Sequence, residues 1–185
     1  MLELIKNTAN FLKQKTNCNP KAGIILGSGL GSFVDEVEIK FSIAYNEIPD
    51  FPTSTVEGHE GKLIFGLIDD KEVVVMQGRF HYYEESDIDK VVFPIRVMKF
   101  LGVKNLIISN ASGGVNPNFE IGDMMIIEDH INLIPNPLVG PNFDELGTRF
   151  PDMSQPYCKK MISDAEEIAK THKITYCPYL FYMGS

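Results

Sequence analysis

Twice in this sequence a short apolar run, of the kind that lies buried within a sheet, ends in a loop built almost entirely of small residues. The first run is Ala22-Gly23-Ile24-Ile25-Leu26, followed at once by Gly27-Ser28-Gly29-Leu30-Gly31. The second is Asn105–Ser109, followed by Asn110-Ala111-Ser112-Gly113-Gly114. An uninterrupted apolar run suits a strand covered on both faces, as in an α/β sheet. Ligands of such sheets sit outside the carboxyl ends of the strands, so these two loops are where a binding site is expected.

The remaining signals fill in the same architecture. Leu2, Ile5, Ala9 and Leu12 recur near the helical period and predict an amphipathic helix from Leu2 to Gln14. Asn17-Cys18-Asn19-Pro20 ends it, because the residue before a proline disfavours the helical region. Lys62–Ile68 and Glu72–Gln77 flank Asp69-Asp70-Lys71 and read as a hairpin. Ser86 is expected to cap a helix whose first turn holds Asp87 and Asp89, both favourable at the positive dipole end. That helix runs to Leu101 and stops at Gly102, with a kink at Pro94. Asp123–Glu128 and the apolar Tyr179-Leu180-Phe181-Tyr182-Met183 are further strand candidates. Asn136–Pro156, rich in Pro, Asn, Asp and Gly, reads as a long surface loop. Ser154 is expected to cap a last helix to Lys170, with Tyr157, Met161, Ala165 and Ile168 as its core face. The expected fold is α/β: a single domain over residues 1–185 with a central mixed, largely parallel β-sheet flanked by helices.

Charge narrows the function. With 17 basic and 25 acidic side chains the net charge is -8, and no Lys/Arg cluster appears. Such a chain repels a polyphosphate backbone, so nucleic acid is not an expected partner. A small anion needs only one local group of donors, which bulk charge does not oppose. No apolar run approaches the roughly 20 residues that span a bilayer, so no membrane partner is expected. Met1-Leu2-Glu3-Leu4-Ile5-Lys6 lacks the basic stretch and apolar block of a secretory signal. Cys18, Cys158 and Cys177 lie far apart, with neither a disulfide framework nor zinc-ligand spacing. A reduced, cytoplasmic setting is expected.

Chemistry concentrates in four places. In the first loop, glycines let backbone N–H groups approach an oxyanion and the Ser28 hydroxyl adds a donor. Its spacing is neither the dinucleotide fingerprint nor a Walker loop, and a tight structural turn fits the spacing as well as a phosphate cradle does. In Gln77-Gly78-Arg79-Phe80-His81-Tyr82-Tyr83-Glu84, the side chains of Arg79, His81 and Tyr83 alternate onto one face just beyond a strand. A guanidinium, an imidazole and a phenol there suit phosphate and a polyol together, and an exposed hairpin end accounts for them equally well. Asn110 and Ala111 open the second small-residue loop. His59, in Gly58-His59-Glu60-Gly61, reads as either a mobile gate or a solvated loop residue. Asp129-His130 has no second histidine at ligand spacing, so no metal is expected. No Gly-x-Ser-x-Gly elbow or reactive-cysteine pattern points to a protein nucleophile.

Taken together these segments resemble the trimeric purine nucleoside phosphorylases. The resemblance rests on Gly27-Ser28-Gly29-Leu30-Gly31, Phe51-Pro52 with Ser54-Thr55-Val56, Gly58-His59, and Gly78-Arg79-Phe80-His81. It continues through Phe93-Pro94-Ile95-Arg96, Asn110-Ala111 with Gly113-Gly114, Asp129-His130-Ile131-Asn132, and Arg149-Phe150-Pro151 with Met153-Ser154. It implies a nucleoside-phosphorylase-like fold and a purine-salvage enzyme. That enzyme uses inorganic phosphate as co-substrate, and no cofactor, to split inosine or guanosine into free base and ribose 1-phosphate. By the same likeness Ser28, Arg79, His81, Asn110 and Ala111 serve phosphate, and Arg79 and His81 are the catalytic pair. Tyr83 and His81 face the ribose, His59 lies on a gate loop, and Phe150 covers the sugar from a neighbouring subunit of a homotrimer.

The family's purine contacts come from a Gly-Pro-Ser/Thr-Phe-Glu segment and from later segments that carry an Asn, a His and another phosphate-binding Ser. The sequence reads Phe181-Tyr182-Met183-Gly184-Ser185 where the first of these begins, so the expectation is a form lacking the C-terminal part and inactive through truncation. Glu84-Glu85 also departs from the family's Glu-Gly. Two alternatives stand beside this reading. One is a non-catalytic phosphate- or ribose-binding relic or assembly partner of full-length subunits; the other is a methylthioadenosine phosphorylase-like activity.

Overall fold

The first helix, α1 (Leu2–Thr16), buries Ile5, Thr8, Ala9 and Leu12 along one stripe and ends at Asn17, whose φ of 52° is left-handed. The Thr8 side chain is fully buried, and its hydroxyl is shared between the carbonyls of Leu4 and Pro49, each 2.9 Å away. This computed structural model describes residues 1–52, 61–179 and 182–183. His59 and the segment around it therefore lie outside the described residues. The chain divides into two compact units, Met1–Ala111 and Ser112–Ser185.

In the first unit α1 is followed by β1 (Ala22–Ile25), β2 (Glu38–Ala44), β3 (Lys62–Ile68) and β4 (Lys71–Gln77), with a 3-10 turn over Gly31–Glu36. Then come a one-turn helix α2 (Tyr82–Glu85), α3 (Ile88–Leu101) and β5 (Asn105–Ile108). The five strands form one mixed sheet in the order β2-β3-β4-β1-β5. The pairings β2/β3 and β3/β4 are antiparallel, whereas β1 runs parallel to both β4 and β5. Ile25 lies opposite Met76 on one side and Ile108 on the other, so β4, β1 and β5 end level. Their spacing of about 4.8 Å per strand puts three chain exits within about 10 Å.

The expected strands appear because they are buried. Val73, Val74, Val75 and Met76 of β4 are all buried, as are Ile24 and Ile25 of β1. One cluster gathers Ile24, Leu26, Val37, Ile64, Val73 and Val75. Asp69 and Asp70 turn the hairpin at φ 46° and 60°, the left-handed pair that a two-residue connection requires and that Asp tolerates. Strand β2 went unforeseen. It is an edge strand with a register shift between Ile39 and Phe41, and Ile43 is its buried residue, so its sequence carries little apolar alternation.

The helix after β4 differs from expectation. Ser86 is not its cap: at φ 54° it ends α2, and its N–H donates to the Tyr82 carbonyl. Asp87 caps α3, its carboxylate accepting from the N–H groups of Asp89 and Lys90. Ser and Asp are both good caps, and the backbone conformation decides between them. Pro94 does sit inside α3, and Gly102 ends it at φ 105°.

The second unit holds β6 (Met124–Ile127), β7 (His130–Ile131), α4 (Lys159–Thr171), β8 (Tyr176–Tyr179) and β9 (Tyr182–Met183). Strands β6 and β8 pair in parallel, as do β7 and β9, so Tyr179, Tyr182 and Met183 of the apolar segment near the end of the sequence are paired. No helix or strand interrupts residues 132–158 among the described residues. Ser154 is not the cap of α4, which starts after Cys158. Of the expected face Tyr157, Met161 and Ala165 are half-buried, whereas Ile168 is 57% exposed and Ala169 is buried in its place. No helix among the described residues is long and apolar enough to cross a membrane.

An aromatic group closes the site end of the first sheet. Tyr45 is 3% exposed and packs on Phe51 and Phe80 at ring separations of 5.0 and 5.2 Å. Burial pushes its phenol well above the ordinary value near 10, because the phenolate would lose its water.

Two outcomes follow from this packing. Asp87→Ala is expected to destabilise the protein by about 1 kcal/mol, the usual value of a lost N-cap, and Ser86→Ala by much less. Urea unfolding of the two variants checks it. For Tyr45, the folded state holds the proton more tightly than the unfolded state does. That contribution is intact below about pH 10 and is lost as pH rises beyond it. The stability difference between wild type and Tyr45→Phe is expected to shrink by about 1.4 kcal/mol between pH 9 and pH 11. Thermal or urea unfolding of both across that range reads the difference, and a constant gap contradicts the burial argument.

Candidate functional site

Because β4, β1 and β5 are parallel neighbours, the segments that leave them share one edge of the sheet; in chain order they are Gly27–Gly31, Gly78–His81 and Ser109–Ala111. All three belong to the first unit.

The first and third segments touch backbone to backbone. A Cβ on Gly27 would fall 2.6 Å from the Ser109 carbonyl oxygen and 2.7 Å from the Asn110 Cα, so no larger residue fits there. The Ser109 hydroxyl stitches the contact, accepting from the Gly27 N–H at 3.1 Å and donating to the Ile25 carbonyl at 3.2 Å. Gly29 serves differently. Its surroundings are open, and it is required by its φ of 81°, which turns the loop after Ser28. Ser28 and Ala111 are exposed and Asn110 is half-buried, so this edge faces solvent.

The second segment brings the charge. The Arg79 guanidinium donates from Nη1 to the Ser109 carbonyl at 3.0 Å and from Nε to His81 Nε2 at 3.1 Å. Since Nε2 accepts, the hydrogen-bond network assigns the His81 proton to Nδ1. Nδ1 lies 2.8 Å from Glu84 Oε1, and the His81 N–H donates to the same oxygen at 3.0 Å. The Glu84 side chain is only 7% exposed. A chain of carboxylate, imidazole and guanidinium results. Tyr83 stacks on His81 with centroids 4.9 Å apart and planes at 18°, and is 68% exposed. Behind the imidazole lies a pocket of about 20 Å³, walled in part by Phe80, His81, Glu84, Asp87 and Lys90. It has room for one water rather than a ligand.

The structure thus brings Arg79 against His81 directly, and ties Arg79 to the Gly27 and Asn110 backbones through Ser109. Tyr83 lies on His81. Phe150 is in the second unit, 83% exposed, with the Arg149 guanidinium 5.5 Å from its ring centroid. Two participants were not foreseen. Ser109 was read only as the last residue of a strand, although a hydroxyl directly before a small-residue loop was the available signal. Glu84 was read as part of an acidic pair, whereas its place three residues after His81 marks it as the imidazole's partner. A guanidinium, a serine hydroxyl and loop N–H groups that leave one sheet edge are donors of the kind that hold an anion.

Comparison with known proteins identifies the family. The sequence model of the phosphorylase superfamily matches residues 21–184. Purine nucleoside phosphorylase 1 of Geobacillus stearothermophilus is 57% identical over 166 residues, covering 89% of this chain and 61% of that protein. Among solved structures, a Schistosoma mansoni purine nucleoside phosphorylase in complex with inosine superposes with a TM-score of 0.89 at 44% identity, covering 98% of this chain and 65% of the other. A purine nucleoside phosphorylase in complex with ribose-1-phosphate gives a TM-score of 0.91 at 45% identity, covering 98% and 69%. This chain spans less than two thirds of the length of the first of these proteins. With the glycine loops, the arginine and the histidine all lying within the matched residues, the chain belongs to the phosphorylase superfamily, among the purine nucleoside phosphorylases.

Proposed function

We propose that this chain carries the phosphate- and ribose-binding half of an enzyme that splits inosine or guanosine with inorganic phosphate. The products are the free purine and ribose 1-phosphate. The observation that carries the reading is the meeting of three strand exits at one sheet edge, with Arg79 hydrogen-bonded across to Ser109. Relatives solved with inosine and with ribose-1-phosphate support the substrate class.

In this reading phosphate lies against the Arg79 guanidinium, the Ser28 hydroxyl, the Ala111 N–H and His81, with Asn110 shaping the second loop. A phosphate oxygen attacks C1′ of the ribose, the C1′–N9 bond breaks, and the purine leaves with the electron pair. No protein nucleophile is needed. Preorganised donors hold the attacking anion in line, and that positioning is the catalytic contribution of these residues. Glu84 fixes the imidazole through Nδ1–H, which keeps His81 Nε2 on the guanidinium side, where it accepts from Arg79 Nε. Tyr83 and His81 together offer the ribose a hydroxyl-bearing face. Phe150 is assigned to the sugar site of a neighbouring subunit in a homotrimer, and His59 to a gate loop. Residues 1–185 are read as parts of one phosphorylase-like domain working in cytoplasmic purine salvage, with phosphate as co-substrate and no cofactor.

Calorimetric titration with inorganic phosphate tests the central assignment. Wild type is expected to bind at one saturable site, and Arg79→Ala to bind about 10- to 100-fold more weakly. The expectation follows from roughly 1.5–3 kcal/mol for a hydrogen bond to an ion. Absence of binding by wild type, or equal affinity in the variant, overturns the phosphate role. The reaction class is tested by hypoxanthine release from inosine: residues 1–185 alone are expected to show little or none, and any release is expected to require phosphate, since phosphate-independent release is hydrolysis and contradicts the proposal.

A further inference from the structure

Arg79 is preceded by a glycine, and that is a problem for a residue meant to hold an anion. Gly78 has a φ of 95° and follows the last residue of β4, so the sheet ladder no longer holds it. A glycine at such a position has other conformations open at little cost. Its rotation would swing the peptide that leads into Arg79 and carry the guanidinium off Ser109.

One donor fixes that peptide from outside. The Tyr45 hydroxyl donates to the Gly78 carbonyl at 2.7 Å, the one donor that reaches it among the described residues. The ring that carries this hydroxyl has no freedom to leave. It packs between Phe51 and Phe80, and its own N–H donates to the Gly61 carbonyl at 3.0 Å. The far face lies on the Gly61 backbone, where a Cβ would come within 2.2 Å of the Tyr45 ring atoms. Burial also keeps the phenol protonated, and therefore a donor, across the whole neutral range.

We infer that Tyr45 is a positioning residue for the anion site: its hydroxyl locks the Gly78 peptide and so holds Arg79 in its bidentate pose on His81 and Ser109. It touches neither phosphate nor ribose and acts through Gly78. The inference rests on the phosphate role of Arg79 proposed above and adds a residue from a different part of the chain.

The test uses the full chain and Tyr45→Phe, which keeps the ring and deletes the lock. Ile5→Val serves as a control that trims a fully buried side chain elsewhere and lowers stability by a comparable amount. Two quantities are measured on each protein: the Kd for inorganic phosphate, and the NMR line of the Arg79 Nε–H. Tyr45→Phe is expected to raise Kd about tenfold, the effect of one lost hydrogen bond, and to broaden or shift the Nε–H line. Ile5→Val is expected to change neither. If wild type binds phosphate and Tyr45→Phe binds it equally well, the inference fails while the phosphate site stands. Equal losses in both variants assign the effect to stability and overturn it too. If wild type binds no phosphate, the site reading fails, and an unchanged Nε–H line in Tyr45→Phe then removes the lock as well. Should Tyr45→Phe not fold, phosphate titration of wild type labelled at the Gly78 carbonyl decides, with a carbon shift on binding expected and its absence contradicting the coupling.

Discussion

Gly27 has no side chain, and the carbonyl of Ser109 and the Cα of Asn110 stand where one would be. Two loops from neighbouring parallel strands can therefore meet at backbone distance, with the Ser109 hydroxyl closing the gap by one accepted and one donated hydrogen bond. The contact aims the Ser109 carbonyl at the segment that leaves β4, where Arg79 Nη1 finds it. Had either loop carried bulk at this point, the strand ends would splay and the guanidinium would lose its anchor. The site is assembled from backbone first, and its charged side chains are fastened to that backbone afterwards.

What was legible in the sequence follows from how each part is held. Strands β1, β3 and β4 read clearly because burial on both faces leaves uninterrupted apolar runs; β5 carries the same kind of run although Ile107 and Ile108 are half-exposed, and the ends of all four fall within a residue of expectation. Strand β2 did not, since an edge strand needs few buried residues and Glu38 and Lys40 interrupt any pattern. Helix starts were harder than helix existence. Ser86 and Asp87 are adjacent and chemically equivalent as caps, and only the left-handed turn at Ser86, a property of the chain path, separates them. The same holds for Ser154, where cap chemistry without a following helical turn misplaced the start of α4.

For the site, residue types were visible and partners were not. Arg79 and His81 stand out because a guanidinium and an imidazole alternate just beyond a strand. Their partners divide by distance. Glu84 is three residues from His81 and belongs to the same turn, so spacing alone could have found it. Ser109 and Tyr45 come to Arg79 and Gly78 from 30 and 33 positions away in the sequence, brought there by strand order. No local pattern encodes that order; the parallel placement of β1 between β4 and β5 does.

The charge balance raises a last question, how a chain of net charge -8 offers a place to an anion. Distance answers part of it, since exposed carboxylates beyond about 10 Å are largely screened at 0.1 M salt. Glu84 is too near for that argument. Its carboxylate, however, is already engaged by two donors of His81, the backbone N–H and Nδ1. The imidazole stands between acid and guanidinium, so among the described residues Glu84 bonds His81 rather than Arg79. A carboxylate bonded straight to Arg79 would compete with any incoming anion for the same fork. Spent on the imidazole, it fixes the tautomer that accepts from Arg79 Nε, and so the acid nearest the site helps to orient the cation rather than to cancel it.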